Sequence, residues 1–195
     1  MTVEQFLRCR RQRPWWLTII VVAVLGAAIL ADRQGWLLHA GDDMQRYHRQ
    51  TFTVARVVDG DTLVLDVSDG DRRTTRVRLW GIDAPELARA DLGQPAQPWA
   101  EASKARADEL VGGGTVRLEL EPGRIRDRYD RILAYVWIAD DLMLNEQLLV
   151  DGLAHADDRW RHPRLDRFAL LEEQARKARR GLWANPPAQA AGTGE

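Results

Sequence analysis

Cysteine is nearly absent from this chain of 195 residues, in which Cys9 is the only one. A single cysteine cannot form an intrachain disulfide, and its isolation excludes a zinc site built from several thiolates. The folded part of the protein therefore needs no oxidising compartment, and an oxidising compartment would not harm it.

A surplus of basic residues is also missing, since the formal net charge is −1. Proteins that coat nucleic acids usually carry such a surplus, because phosphate contacts dominate their affinity. Any contact with nucleic acid must therefore be local, which favours an enzyme that releases its substrate. Hydrophobic residues make up 45% and charged residues 29%, a balance typical of one globular domain with accessory segments.

Long uncharged apolar stretches are limited to residues 15–31, where Thr18 is the only polar side chain. A helix of this length spans about 26 Å at ~1.5 Å per residue, at the short end of what crosses a bilayer core. Arginines precede the stretch and two tryptophans mark its start. We predict a single transmembrane helix, with residues 1–14 in the cytoplasm and the rest in the periplasm or outside the cell.

A cleaved signal peptide is the alternative interpretation of the same segment. Signal peptides usually have an apolar region of about 7–15 residues that ends in small residues before the cut. A cut after Ala31 would place Ile29 at the third position before it, which matches that pattern poorly. The anchor is therefore the favoured interpretation, and a cleaved segment would instead give a secreted protein.

Residue patterns downstream predict three strands, a helix, two strands and two helices. Five strands with a helix after the third suit an OB-type Greek-key β-barrel, so we predict an α+β fold with three helices behind the transmembrane helix. Residues 32–50 are predicted to be a linker, 51–183 the domain and 184–195 a disordered tail. The predicted strands are 52–58, 62–67, 72–80, 115–120 and 131–138, and the helices are 99–111, 142–151 and 164–180.

Charged residues cluster at the ends of three predicted strands, in residues 59–61, 78–86 and 127–131. Converging carboxylates repel each other unless a hard cation lies between them, and Ca²⁺ takes about 6–8 oxygen ligands. Two arginines from separate strands, Arg78 and Arg131, could hold a phosphate between them. Each cluster taken alone is more simply a solvated turn or a hairpin with local ion pairs.

Four motifs in order resemble the micrococcal-nuclease (thermonuclease) family over residues 52–183. They read V-x-D-G-D-T, R-L-x-G-I-D-x-P-E, D-R-Y-x-R-x-L-A-Y and N-E-x-L-x-x-x-G-L-A. The resemblance implies an OB-type barrel and calcium-dependent hydrolysis of DNA and RNA to 3′-phosphate products. It implies that Asp61, Asp83 and the backbone carbonyl of Ala84 bind Ca²⁺, with Asp59 in the outer shell of the ion.

The same resemblance implies how the substrate is held and cut. Glu86 activates or orients the attacking water, while Arg78 and Arg131 clamp the scissile phosphate. Arg128 and Tyr129 contact the neighbouring phosphate. The chain departs from the type member of the family, because Ala84 replaces a threonine, Asp130 replaces a glycine, and residues 157–160 replace paired tyrosines that pack around a base. Trp160 is the candidate to stack on a base instead.

A nuclease-like OB module that binds nucleic acid or protein without cutting is the alternative function. Such a module is expected to lose acidic or arginine residues of the site, whereas this chain keeps the complete set. The catalytic interpretation is therefore favoured, and no obligate protein partner is implied. The preference for DNA or RNA stays open.

The predicted anchor can be tested by fractionation of cells that express the full-length protein. We expect the protein to stay with membranes after alkaline carbonate washing, because residues 15–31 would lie in the bilayer core. Recovery in the soluble fraction with a new N-terminus near Asp32 would instead establish cleavage.

Overall fold

The structure is a computed structural model that describes residues 15–32 and 39–184. The predicted cytoplasmic segment and all but the first residue of the predicted tail lie outside the described residues. The chain divides between Asp42 and Asp43 into two compact units, each of which is described by itself.

Helix α1, Trp15–Asp32, covers the segment predicted to be a membrane anchor. It forms because this segment contains no proline and only one glycine among residues that are mostly compatible with a helix. Its side chains from Trp15 to Val24 are exposed. Within the described parts of the chain, no helix meets the length and hydropathy required to span a membrane. The anchor is not confirmed and stays a prediction.

Helix α2, His39–Tyr47, forms where the sequence analysis predicted a linker. Its last residue, Tyr47, is fully buried, and the phenol lies 3.2 Å from the hydroxyl of Thr75. The Tyr47 ring also packs against Phe52 with 5.6 Å between ring centroids. The linker prediction differs from the structure here because the residues that bury Tyr47 lie later in the chain.

Up to residue 184, where the described part of the chain ends, the second unit continues with eight strands and three further α-helices. Five of the strands are long enough to form a barrel, and three contain only two residues each. In chain order the elements are β1 Thr51–Asp59, β2 Thr62–Leu65, β3 Thr75–Leu79, β4 Ile82–Asp83, α3 Ala100–Val111, β5 Thr115–Glu119, β6 Ile132–Ala139, β7 Leu142–Met143, α4 Leu144–Val150, β8 His155–Ala156 and α5 Leu165–Lys177.

The barrel has the strand order β3-β2-β1-β5-β6 and is closed by a pairing of β3 with β6. Neighbours in this order are antiparallel, whereas β3 and β6 run parallel, with Arg78 opposite Leu133. Closure removes the exposed sheet edges that an open five-stranded sheet would have. The predicted five-stranded barrel is confirmed.

The core fills the barrel and the space beneath the helices. All four residues of β2 are buried, so this strand lacks the alternation of a half-exposed strand. Helix α5 buries Phe168, Leu171 and Ala175, which recur at helical spacing and face the body of the domain. This packing fixes the scaffold on which the charged loops are mounted.

Several element boundaries differ from the prediction. Strand β3 begins at Thr75 because the preceding residues form a turn closed by Asp69 and Arg72. Residues Leu142 and Met143 pair with β6 before α4 begins, and α5 ends at Lys177. The small β4–β8 sheet was not predicted, because a two-residue strand has no periodicity to detect.

Asn145 fixes the turn that follows β3 from inside the protein. Its side chain is fully buried, accepts a hydrogen bond from the Val136 N–H and donates one to the Trp80 carbonyl, both at 2.9 Å. The next residue, Gly81, has φ of +80°, a conformation that favours glycine. These contacts set the direction of the chain as it enters β4.

Arg126 joins three segments that are distant in sequence. Its guanidinium donates two hydrogen bonds to Asp43 of α2, at 2.6 and 2.8 Å, and two to Asp69 of the β2–β3 turn, at 2.7 and 2.8 Å. It also contacts Asp130, 3.1 Å away, in the loop before β6. Hydrogen bonding to Arg126 lowers the pKa of Asp69 below its ordinary value of 3.8.

The Arg126 contacts predict an acid-dependent loss of stability. Because the pKa of Asp69 is lower in the folded protein, its contribution is present above about pH 4 and disappears as the pH falls through the folded pKa. At pH 7, Asp69→Asn should lower the free energy of unfolding by about 1–3 kcal/mol, and this difference should shrink on acidification. Urea unfolding across pH measures both effects. The exposed Asp71→Asn is the control, and an equal pH dependence in the two variants would contradict the assignment.

Candidate active site

Closure of the barrel brings three charged loops together at one end of β3 and β6. Asp59 ends β1, Asp61 lies in the β1–β2 turn, Asp83 lies in β4, and Arg131 directly precedes β6. Asp61 is tied to β3 through its carbonyl, which accepts a hydrogen bond from the Leu79 N–H at 2.8 Å. Residues that are distant in sequence therefore share one site.

Arg78 lies at the centre of this site with only 12% of its side chain exposed. One end of its guanidinium forms an ion pair with Asp61, and Nη2 donates to Asp83 Oδ1 at 2.5 Å. Burial lowers the pKa of Arg78, as does the nearby charge of Arg131, while Asp83 raises it. The two carboxylates thus stabilise a cation that has lost most of its hydration.

Asp61 is the most buried carboxylate of the site, with 3% of the residue exposed. Its Oδ2 accepts a hydrogen bond from the Ala84 N–H at 2.6 Å, and the Thr62 hydroxyl donates to Oδ1 at 3.2 Å. The Asp61 N–H in turn donates to Asp59 Oδ1 at 3.0 Å. Burial raises the pKa of Asp59, against the effect of the nearby Arg78. Asp59 therefore supports the turn that aims Asp61.

The donor set fits a hard cation that takes oxygen ligands. Asp61 and Asp83 contact the same guanidinium, so a positive charge at this position lies within reach of both carboxylates. Ala84 is also held against Asp61 by its backbone. Among residues 15–32 and 39–184, no group of three or more acidic, histidine or cysteine side chains is arranged to hold a metal ion. A cation here would need backbone or water oxygens as well as the two carboxylates.

Arg131 is oriented by Asp127. Its Nε and Nη2 both lie 2.7 Å from Asp127 Oδ2, and its N–H donates to Oδ1 at 3.0 Å. The remaining nitrogen, Nη1, lies 3.3 Å from the Thr62 hydroxyl. The guanidinium is therefore held in one orientation beside the turn that carries Asp61. Asp130, which stands where the type member of the family has a glycine, adopts the left-handed conformation with φ of +62°.

Glu86 is exposed, and its backbone is anchored on both sides by Gln97. The Glu86 N–H donates to Gln97 Oε1 at 3.0 Å, and the Gln97 N–H donates to the Glu86 carbonyl at 2.9 Å. This pair of bonds fixes the start of the segment that leads to α3. It leaves the Glu86 carboxylate at the edge of the site.

Most of the predicted site residues line a cavity of about 420 Å³. Asp59, Asp61 and Ala84 are not among the residues that line it. The cavity is lined by five arginines and by four carboxylates, those of Asp83, Glu86, Asp127 and Asp157, so its formal charge is only slightly positive. The predicted residues that line it are Arg78, Asp83, Glu86, Arg128, Tyr129, Arg131 and Trp160.

Arg128 and Tyr129 form an exposed pair at the rim of this cavity. Arg128 Nη2 donates to the Tyr129 hydroxyl at 2.6 Å, and its guanidinium carbon lies 4.7 Å from the centre of the ring. Tyr129 is 54% exposed. The pair presents a cation and a hydroxyl to solvent, as the predicted contact with a neighbouring phosphate requires.

Trp160 lines the cavity and is 48% exposed, but one of its faces is covered. The guanidinium carbon of Arg124 lies 3.4 Å from the centre of the Trp160 ring and 5.3 Å from that of Trp80. A base could therefore stack only on the other face of Trp160, unless Arg124 moves. The sequence analysis missed Arg124, since no motif links it to either tryptophan.

Arg159 is a second residue of the site that the sequence analysis did not assign. It donates two hydrogen bonds of 2.7 Å to Asp157 and lies 3.3 Å from Asp83 Oδ2. These contacts lower the pKa of Asp157 in opposition to its burial. The β4–β8 pairing brings this loop against Asp83, so the long-range pairing was the missing signal.

The fold and the site together define an OB-type barrel protein whose arginine-rich cavity, edged by carboxylates, is suited to a phosphate ester. The chain belongs to the family of staphylococcal nuclease homologues, whose profile matches residues 76–185. It is 33% identical over 171 residues to a thermonuclease of Staphylococcus hyicus, covering 87% of this chain and 96% of that protein.

Two further relatives agree with this assignment. A thermonuclease of Staphylococcus intermedius is 38% identical over 130 residues, which are 66% of this chain and 70% of the relative. Endonuclease YncB of Bacillus subtilis (strain 168) is 34% identical over 136 residues, 68% of this chain and 61% of its own length. The predicted membership of the micrococcal-nuclease family is thereby confirmed.

The burial of Asp61 predicts that removing Arg78 destabilises the folded protein. In a chelating buffer, Arg78→Ala should lower the free energy of unfolding by about 2 kcal/mol or more, because Asp61 keeps its burial and loses its cation. Arg159→Ala is the matched control, since Arg159 also contacts Asp83 but is 61% exposed, and its loss should cost about 1 kcal/mol or less. Urea unfolding measures both. Equal effects in the two variants would contradict the role given to Arg78.

Proposed function

We propose that this protein is a calcium-dependent nuclease that hydrolyses phosphodiester bonds of DNA or RNA and leaves 3′-phosphate ends. The observation that carries the proposal is the convergence of Arg78, Arg131 and Glu86 on one cavity beside the paired carboxylates Asp61 and Asp83. Family membership and the similarity to two thermonucleases and an endonuclease support it.

The arginines would bind the scissile phosphate. Both guanidiniums line the cavity, and each is already oriented by carboxylates, so little side-chain freedom is lost on binding. Their N–H groups would donate to the non-bridging oxygens, where negative charge increases in the transition state. Arginine suits this role better than lysine, because its planar fork matches two oxygens at once.

Glu86 would accept a proton from the attacking water. The water oxygen forms a bond to phosphorus, and the bond from phosphorus to the 5′ oxygen breaks. The leaving oxygen takes a proton from solvent and becomes a 5′-hydroxyl, while the phosphate stays on the 3′ oxygen of the other product. The exposed Glu86 carboxylate at the cavity edge is open to such a water.

Asp61, Asp83 and the carbonyl of Ala84 would hold Ca²⁺, which supplies Lewis-acid stabilisation of the phosphate when bound. In this role, Asp59 keeps the turn of Asp61 in place through the hydrogen bond to the Asp61 N–H.

Arg128, Tyr129 and Trp160 would contact the substrate beside the scissile phosphate. The Arg128–Tyr129 pair lies at the exposed rim, where a neighbouring phosphate could accept from both side chains. Trp160 would offer its uncovered face to a base. We further propose that α1 anchors the protein in a bilayer and places this site outside the cytoplasm, as the carbonate wash described above tests.

The nuclease proposal is tested with the full-length protein in mild detergent. It is incubated with single-stranded DNA, double-stranded DNA and RNA in calcium, in magnesium and in chelator. We expect cutting that requires calcium and yields 3′-phosphate ends. Glu86→Gln and Arg131→Ala should each lower kcat by about 10²-fold or more, because each removes a group that acts in the transition state. Lys104→Gln, which breaks a helix ion pair outside the cavity, is the control.

Each outcome separates the candidate functions. Calcium-dependent cutting that both site variants suppress would establish the nuclease. A folded protein that binds nucleic acid but cuts nothing in any metal would instead be a binding module. Cutting that persists in chelator would refute the proposed role of Asp61 and Asp83 in holding a cation.

A further inference from the structure

A second cavity, of about 550 Å³, meets the first one at Asp83. It lies along the segment between β4 and α3 and is closed by residues near the end of the described chain. Ala84 and Pro85 form the wall next to the carboxylates. The cavity is further lined by Pro98, Trp99 and Leu182, and by His155, which pairs with Asp83 in the β4–β8 sheet.

The two cavities differ in chemistry. The first contains five arginines, whereas no arginine or lysine is among the residues that line the second. A phosphate would therefore be held in the first cavity and not in the second. Proline, leucine and the half-buried ring of Trp99 instead suit a flat, uncharged group.

The walls of the second cavity are fixed by contacts outside it. His155 Nδ1 lies 3.1 Å from Glu172 Oε1, and its ring packs edge-on against Trp183 at 5.1 Å. Trp99 has φ of +69° at the residue before α3, a backbone conformation that is uncommon for a bulky residue. This conformation sets where the indole ring leaves the backbone.

The second cavity is also connected to the backbone of Glu86 through hydrogen bonds. Gln97, which lines it, exchanges two hydrogen bonds with the Glu86 backbone, at 3.0 and 2.9 Å. A group that occupies the cavity therefore contacts the same short segment that carries the proposed general base. Its binding would favour the arrangement of this segment that the structure shows.

We infer that the second cavity binds the base of the nucleotide on the other side of the scissile phosphate from the one that contacts Trp160. This inference rests on the proposed nuclease function. A polynucleotide has a nucleotide on each side of the bond that is cut, and the arginines place that bond in the first cavity. The second cavity meets the first at Asp83, so a strand that continues past this residue brings its next base to the cavity that contains Trp99.

The test scans one abasic nucleotide through a short single-stranded DNA that has a mapped cut site. With the wild-type, full-length protein, a missing base on either side of the cut should raise KM about fivefold or more, because one stacking contact is lost. We call this increase in KM the abasic penalty. In Trp99→Asn, the abasic penalty should disappear on one side of the cut only. In Trp160→Asn, it should disappear on the other side.

Two features of the design separate folding from recognition. Asparagine tolerates the left-handed backbone of position 99, and Trp99→Tyr keeps an aromatic ring and should keep the penalty. Each penalty is a ratio of KM values measured on one protein, so a loss of folded protein cancels.

The results distinguish this inference from the proposal on which it rests. If the wild-type protein cuts no substrate, the proposed function fails and the inference fails with it. If the protein cuts and Trp99→Asn keeps both penalties, the nuclease proposal stands and the second subsite is refuted.

Discussion

The parallel pairing of β3 with β6 is the contact on which the site depends. It places Arg78 opposite Leu133 and so brings the end of β3 beside the loop that carries Arg131. Two like charges that are far apart in sequence are thereby forced together, and Arg131 contributes to the lowered pKa of Arg78. The carboxylates of Asp61 and Asp127 then become necessary, because each offsets one of these guanidiniums. Closure of the barrel therefore creates the need for these carboxylates, which balance the charges that it brings together.

This arrangement serves function more than stability. Burying a guanidinium and a carboxylate costs desolvation energy that their attraction only partly returns, and apolar residues of similar size are often at least as stabilising. The site nevertheless holds Arg78 and Asp61 largely away from water. In the proposed nuclease, their fixed orientation would serve the transition state, since charged groups that are already aligned need no reorganisation when the reaction occurs. The stability that the site does not provide comes from the barrel core and from contacts such as those of Arg126.

The sequence predicted most of what local pattern determines. Strands and helices were placed by their periodicity. The motif residues Arg78, Asp83, Glu86 and Arg131 line one cavity in the structure, and their roles stay a prediction. Helix α2, the β4–β8 sheet and the contacts of Arg124 and Arg159 were missed, because each depends on residues far away in the chain. Trp160 lines the same cavity, yet the cover of Arg124 over one face of its ring could not be foreseen from residue type. Long-range pairing is the information that motifs lack.

Helix α2 has a consequence for where the autonomous part of this protein begins. Asp43 and Tyr47 precede the first strand and also precede residues 76–185, which the family profile matches. A fragment that starts at Thr51 would keep every motif, yet it would deprive Arg126 of one carboxylate and leave Thr75 and Phe52 without their buried partner. Fragment boundaries for expression and crystallisation should therefore follow these contacts and include α2.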